Sequence, residues 1–345
     1  MSDTRYLILA EGFSADAHYG KTMRGVLRYR RDDVVAILDS ARAAGETEDG
    51  VPIVQSVDGA LHFEPNTALV GVATQGGRFP PAWIEILKQC IVQGLDVENG
   101  LHVFLGDDPD LRELAARHGV ELRDLRRPPA DLSTATGANL DVPGTIVLTV
   151  GSDCAIGKMT VALELDLEAR RRGERSVFVP TGQTGIAIAG WGISVDAVVA
   201  DFIAGAAERL VVEGAARGGD LLWVEGQGAI LHPIYSGVTV GLYHGSVPHL
   251  VVLCHEAGRT EIEGAGGGPH PIPPLPELVD LHERLALPAR PARVVAIALN
   301  TRSLGEDAAR EAVARTEAET GLPADDPVRF GAARLVDAVL AARKG

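Results

Sequence analysis

The sequence is poor in cysteine, in lysine, in aromatic residues and in net positive charge, and each shortage narrows what the protein can be. Its three cysteines, Cys90, Cys154 and Cys254, lie far apart with no C-x-x-C spacing, which argues against a zinc knuckle and against a disulfide framework. Reduced thiols fit the cytoplasm, the expected location. No run approaches the ~18 apolar residues of a membrane span. The opening "MSDTRYLILAEG" meets a charged residue too soon for a signal peptide. Against 47 acidic residues stand only 32 Lys and Arg, a formal net charge of −15. Nucleic acid and anionic membranes are therefore not expected partners, because both require basic surface to displace counterions.

Lysine is scarcer still. Of the 32 basic residues only Lys21, Lys88, Lys158 and Lys344 are lysines, so arginine serves wherever a positive charge suffices. Two of the four, Lys21 and Lys158, follow a glycine and precede a threonine within two residues. The compact ammonium of lysine fits a tight turn around a phosphate better than a planar guanidinium does.

What is present is apolar material in short runs. At 345 residues, 46% of them hydrophobic, the chain exceeds one typical domain, and two domains are expected. Apolar runs at 6–10, 34–38, 68–73 and 101–105 alternate with helix-length segments at 80–93, opened by "PP", and 109–118. After a Pro- and Thr-rich stretch the rhythm restarts. Strands are expected at 145–150, 176–180, 221–226, 249–254 and 293–300, with helices at 158–172, near 195–217 and as a pair over 305–343. Such alternation gives parallel sheets covered by helices on both faces, an α/β fold. The boundaries read as one domain over 1–128, a linker over 129–143 and a second domain over 144–345. The segment 264–277, "GAGGGPHPIPPLPE", is too rich in Gly and Pro for helix or central strand and is expected to be a loop over a site.

The stretch "GSDCAIGKMT" carries the strongest chemical signal. It follows an apolar strand and opens a helix, where main-chain N–H groups and the positive helix end face an anion. Its residues Gly151, Ser152, Asp153, Cys154, Ala155, Ile156, Gly157, Lys158, Met159 and Thr160 form the expected phosphate site. The hydroxyl that usually follows the lysine is displaced from Met159 to Thr160, a rotation of about 100° on a helix. Either the helix start shifts or magnesium ligation through this threonine is lost, which suits a ligand with a pyrophosphate but no metal chemistry; no resident metal is expected.

Other candidates lie at strand ends, where α/β sheets bind ligands. Glu225 in "VEGQG" is a candidate metal ligand, water-positioning group or general base, and His232 in "ILHP" a candidate base or substrate contact. Gln183 and Thr184 are expected to end a strand beside the loop, and Asp201 is a candidate for the cleft. From "LYHGSVPHLVVLCHEAGR" come His244, His255 and Arg259, whose fork suits a carboxylate. Asn300 ends the last strand as a candidate base reader. Lys21 and Arg24 are read as a basic lip after "EGFSADAHYGKT".

Together "GSDCAIGKMT", "GQTGIAIAGWGISVDAVVADFIAGAAERL", "EGQGAILHP", "GLYHGSVPHLVVLCHEAGR" and "IALNT" resemble the DUF1611 family essentially end to end. That resemblance implies a Rossmann-like N-terminal domain, a P-loop C-terminal domain, and transfer of an acetyl group from acetyl-CoA to the amine of D-glutamate. A more distant similarity to dethiobiotin synthetase keeps open an ATP- and magnesium-dependent enzyme using Thr160 and Glu225. A non-catalytic nucleotide sensor is the third alternative. The expected partners are a small acidic amino acid and further copies of the chain.

Overall fold

The structure is a computed structural model that describes residues 4–16, 19–73, 77 and 82–343. Two compact units divide it: Met1–Arg127 with Ile186–Trp191, and Pro128–Gly185 with Gly192–Gly345.

In the N-terminal unit the chain runs β1 (Tyr6–Leu9), α1 (Lys21–Tyr29), β2 (Val34–Leu38), β3 (Thr47–Glu48), β4 (Val51–Val54) and α2 (Val57–Ala60). It continues through β5 (Thr67–Val70), α3 (Trp83–Val92), β6 (Asp96–Asn99), α4 (Pro109–His118) and β7 (Leu122–Asp124). The sheet order is β3-β4-β2-β1-β5-β6-β7, parallel except for the β3–β4 pair. Leu7, Ile8 and Leu9 are all buried without alternation, as a strand covered on both faces requires. The apolar run at 101–105 is not a strand. The strand is β6, "DVEN", whose Glu98 and Asn99 are buried because each has partners, Glu98 accepting from Tyr6 and Arg123 and Asn99 donating to Asp124. Pro80 and Pro81, expected to open the third helix, lie outside the described residues, as does Lys344.

The C-terminal unit contains β8 (Thr145–Gly151), α5 (Lys158–Arg171), β9 (Ser176–Val179), the start of α6 (Gln183–Ala189), α7 (Ile203–Ala216) and β10 (Leu221–Val224). Then come α8 (Ser236–Ser246), β11 (Leu250–Glu256), α9 (Leu275–Leu285), β12 (Arg293–Asn300), α10 (Glu306–Thr320), β13 (Ala324–Asp325) and α11 (Ala333–Arg343). All neighbours in the order β13-β12-β11-β8-β10-β9 are parallel. All seven residues of β8 are buried. The long helix expected near 195–217 begins only at Ile203, after two single 3-10 turns. The Pro-rich loop yields to helix α9 at Leu275, with Pro274 and Pro276 flanking that first residue, where a missing N–H costs nothing.

From β8 the chain crosses two places to β9, returns to β10, then passes to β11 on the other side of β8. The carboxyl end of β8 is thus the point at which the connections part, the place where α/β sheets take ligands.

Candidate functional site at the carboxyl end of the C-terminal sheet

The loop after β8 is shaped by residues that a larger side chain would break. Gly157 has φ +110°, a conformation natural to glycine, and Ala155 has φ +54°. A Cβ on Gly151 would meet the Ile156 side chain at 2.8 Å and the Asp153 carbonyl at 2.9 Å. On Gly226, just beyond β10, it would meet the Thr149 carbonyl at 1.8 Å, so β8 and the turn after β10 touch backbone to backbone.

Lys158 opens α5 and is buried, its Nζ donating to the carbonyl of Asp153 at 2.7 Å. Burial pulls its pKa down, against the opposing pull of Cys154, Cys254, Asp153 and Glu225. The N–H groups of Ser152 and Cys154 have partners within the loop's surroundings, the Cys254 carbonyl and the Asp153 carboxylate. Those of Ala155, Ile156, Gly157 and Lys158 have none among the described residues. Four main-chain donors and an ammonium at a helix N-terminus make an anion cradle.

Glu225, the residue after β10, is 4% exposed. Its Oε2 accepts from the N–H groups of Thr181 (2.9 Å) and Gly182 (3.1 Å), and its Oε1 from Gln227 Nε2 (3.1 Å). Burial outweighs these bonds and pushes its pKa up to about 7. A carboxyl poised near neutrality beside a cradle is suited to moving a proton at physiological pH.

Asp153 is fully buried and holds the rim. Its Oδ2 accepts from Arg259 Nη1 at 2.8 Å and from the N–H of Glu263 at 2.9 Å. The Arg259 fork, read in the sequence as a clamp for a substrate carboxylate, is engaged by Asp153, Glu256 and Glu263. His232 is buried; its Nδ1 accepts from the N–H of Ile234 at 3.2 Å, which leaves Nε2 to donate to the Glu263 carbonyl at 3.3 Å. Donor atoms of Asp153, Cys154 and His232 lie within 4.8 Å of one another. The set is poorly suited to a cation, since the Asp153 oxygens and the His232 lone pair are already engaged and Lys158 and Arg259 flank it.

His255 Nδ1 lies within hydrogen-bond reach of Ser152 Oγ at 2.9 Å, and burial together with Arg259 lowers the His255 pKa. Asn300 donates to the Ile156 carbonyl at 3.2 Å and so braces the loop. Met159 and Thr160 are half-buried on the first turn of α5. Gln183 and Thr184 do not end a strand but open α6, because Glu225 draws in the Thr181 and Gly182 amides that precede it.

Of the four remaining candidates, two belong to the C-terminal unit and two to the N-terminal unit. Asp201 is exposed on a single 3-10 turn. The Nε2 of His244 is 2.9 Å from the Leu285 carbonyl and ties α8 to the end of α9. Lys21 and Arg24 belong to the N-terminal unit, Lys21 exposed and Arg24 bonded to the Ser14 carbonyl at 3.1 Å. Ala17 and His18 of the preceding loop lie outside the described residues.

Sequence reasoning passed over Thr149, Thr181, Gly182 and Gln227, which position Glu225 and Gly226. The "TG" after the β9 strand was the available signal for two of them. Glu263, which engages Arg259, had none beyond its nearness in the chain.

A parallel sheet with a lysine-topped glycine loop on its central strand and an acid at the end of the adjacent strand defines a P-loop protein, here preceded by a Rossmann-like unit. Residues 133–336 match the family described as the P-loop domain of DUF1611, and residues 38–128 match its Rossmann-like domain, both of them domains of unknown function. The chain belongs to the DUF1611 family. It is 39% identical to a protein of Tritonibacter scottomollicae named D-glutamate N-acetyltransferase, over 99% of this chain and 100% of that one. A protein of the same name from a Pseudoalteromonas species is 34% identical, covering 81% and 83%. A crystal structure of a DUF1611 family protein from Anabaena variabilis is 44% identical with a TM-score of 0.90, covering 98% of this chain and 100% of that one. No helix among the described residues is long and apolar enough to cross a membrane.

Proposed function

We propose that the protein is an N-acetyltransferase that moves an acetyl group from acetyl-CoA to the amine of D-glutamate, working as a homo-oligomer in the cytoplasm. The acceptor follows the names of the two relatives. The observation that carries the chemistry is Glu225, a buried carboxyl with a pKa pushed up to about 7, adjoining a cradle built for an anion.

On this reading the amides of Ala155, Ile156, Gly157 and Lys158, with the Lys158 ammonium, hold the donor's diphosphate, and Gln183 and Asn300 border it. Glu225 takes a proton from the acceptor ammonium, freeing the nitrogen lone pair. The N–C bond forms as the C–S bond breaks, the proton held by Glu225 passes to the departing thiolate and the nitrogen's second proton leaves to solvent, so the products are N-acetyl-D-glutamate, CoA thiol and one proton. Holding donor and acceptor together supplies much of the acceleration, and the base adds roughly 10²–10⁴-fold. His232 and His255 act by holding the rim and Ser152, and Arg259 by fixing Asp153.

A magnesium-ATP enzyme would need Glu225 to turn its Oε2 from two amides toward a cation, and Thr160 to reach the same ion. The two readings separate in one assay. Purified protein mixed with acetyl-CoA and D-glutamate should release free thiol and yield the N-acetyl product without ATP or magnesium. No release with any acidic amino acid, together with magnesium-dependent stabilisation by ATP, would replace the first reading with the second.

A further inference from the structure

The cradle and the base are neighbours. An ideal Cβ on Gly226 would stand only 3.1 Å from Lys158 Cδ, and Glu225 is the residue before it. A pantetheine arm leaving a diphosphate on the loop is about as long as four extended residues, ~14 Å. For the thioester to return to Glu225, that arm has to fold back over surface beside the loop.

Apolar surface is present there and has no evident use in the fold. Leu231, Ile234 and Tyr235 are 39%, 61% and 50% exposed, three of the ten large apolar side chains that stand out among the described residues, all within five positions. Pro233 between them is exposed as well. The turn is not loose. Buried His232 pins it through the Ile234 N–H and the Glu263 carbonyl, and its ring lies 4.7 Å from that of Tyr235. Thr239 Oγ1 donates to the Gln227 carbonyl behind it, and Gly228 passes so near Tyr235 that a Cβ would meet the carbonyl at 2.4 Å. A nitrogen of that same His232 lies within 4.8 Å of donor atoms of Asp153 and Cys154. The turn therefore continues the wall of the cradle. Apolar side chains held rigidly in water beside a polar pocket mark a binding surface.

We infer that the turn 231–235 is the seat of the donor's pantetheine arm, with Ile234 and Tyr235 covering its dimethyl and methylene groups. This rests on the acetyl-transfer reading above. The test compares two donors, acetyl-CoA and S-acetylpantetheine, which has the arm without the nucleotide, each with D-glutamate. The double variant Ile234→Ser/Tyr235→Ser should raise KM about tenfold for both donors while KM for D-glutamate stays put, as expected for roughly one buried apolar side chain lost. Tyr235→Phe, which keeps the ring, should restore most of it when paired with native Ile234. Lys158→Ala should raise KM for acetyl-CoA alone.

A penalty seen only with acetyl-CoA would place these side chains on the nucleotide and overturn the assignment. An unchanged donor KM accompanied by loss of self-association in sedimentation would mean that a second copy covers the turn, which overturns it equally. Wild-type protein that releases no thiol from either donor would remove the acetyl-transfer reading and this inference with it, an outcome distinct from a working enzyme whose variants keep their KM.

Discussion

Each unit contains a strand, a glycine-bearing loop and a helix opened by lysine, and the two have opposite fates. After β1 the described part of the loop is closed from within. The carboxylate of Asp39, just beyond β2 and buried, accepts from the N–H groups of Gly12 (2.9 Å), Ser14 (3.1 Å) and Ala41 (3.0 Å). Burial alone would raise its pKa, yet these bonds and the Ser14 hydroxyl hold it below the usual carboxylate range. Asp39 stands where an external anion would otherwise meet the amides. After β8 the acid that enters the loop, Asp153, takes one loop amide and otherwise turns to Arg259 and Glu263, leaving four N–H groups around buried Lys158. The two loops thus differ in whether their amides meet an internal acceptor and in the burial of the lysine. Lys21 is exposed where Lys158 is buried.

The sharpest way to break that contrast is to remove each lysine. Lys158→Ala should cut kcat/KM for acetyl-CoA by at least about 100-fold, since a charge-assisted contact in a dry site is lost. Isothermal titration with CoA should show the matching loss of affinity.

Glu225→Gln should lower kcat by roughly 10²-fold or more and abolish the rise of activity through about pH 7 that the wild type should show as Glu225 ionises. The same residue sets a stability signature. Its folded pKa is raised above the ordinary 4.5, so the fold binds the proton more tightly than the unfolded chain. Stability from this group is complete below pH 4.5 and declines as pH rises to about 7, by up to about 3 kcal/mol. Urea titrations at pH 5 and pH 8 should show that decline in the wild type and lose it in Glu225→Gln.

In the closed loop, Asp39→Ala strands three amides and should cost about 2–3 kcal/mol of stability, read as a lower urea midpoint. Because the Asp39 pKa is depressed, its contribution is present above the unfolded carboxylate pKa and disappears as pH falls. The smallest effect belongs to Lys21→Ala: CoA affinity should stay within a factor of about two, and a larger loss would mean that the N-terminal loop takes part in donor binding.

The cradle was legible in the sequence because its signal is local: an apolar strand, glycines and a lysine in one stretch of ten residues. Glu225 was legible for the same reason. What stayed hidden depends on contacts between distant segments. Helix α8, "SGVTVGLYHGS", looks unlike a helix because it is packed too closely for larger residues; a Cβ on Gly245 would meet the Ala204 carbonyl at 2.2 Å, and one on Gly241 the Ile203 side chain at 2.6 Å. Strand β6 was displaced in the reading because its polar Glu98 and Asn99 are buried with partners far along the chain, whereas the neighbouring run at 101–105 is more apolar but forms a loop. Arg259 was visible as a strand-end guanidinium, but its bond to Asp153 spans more than a hundred residues and no local pattern announces it. Asp39 was missed for a similar reason, since its partners lie on the preceding strand's loop.

A crystal of the protein soaked with CoA tests the central claim most directly. The account predicts both phosphorus atoms over the N-terminus of α5, their oxygens bonded to Lys158 Nζ and to the amides of residues 155–158. A diphosphate bound elsewhere, with the cradle taken by an acceptor carboxylate, would contradict it.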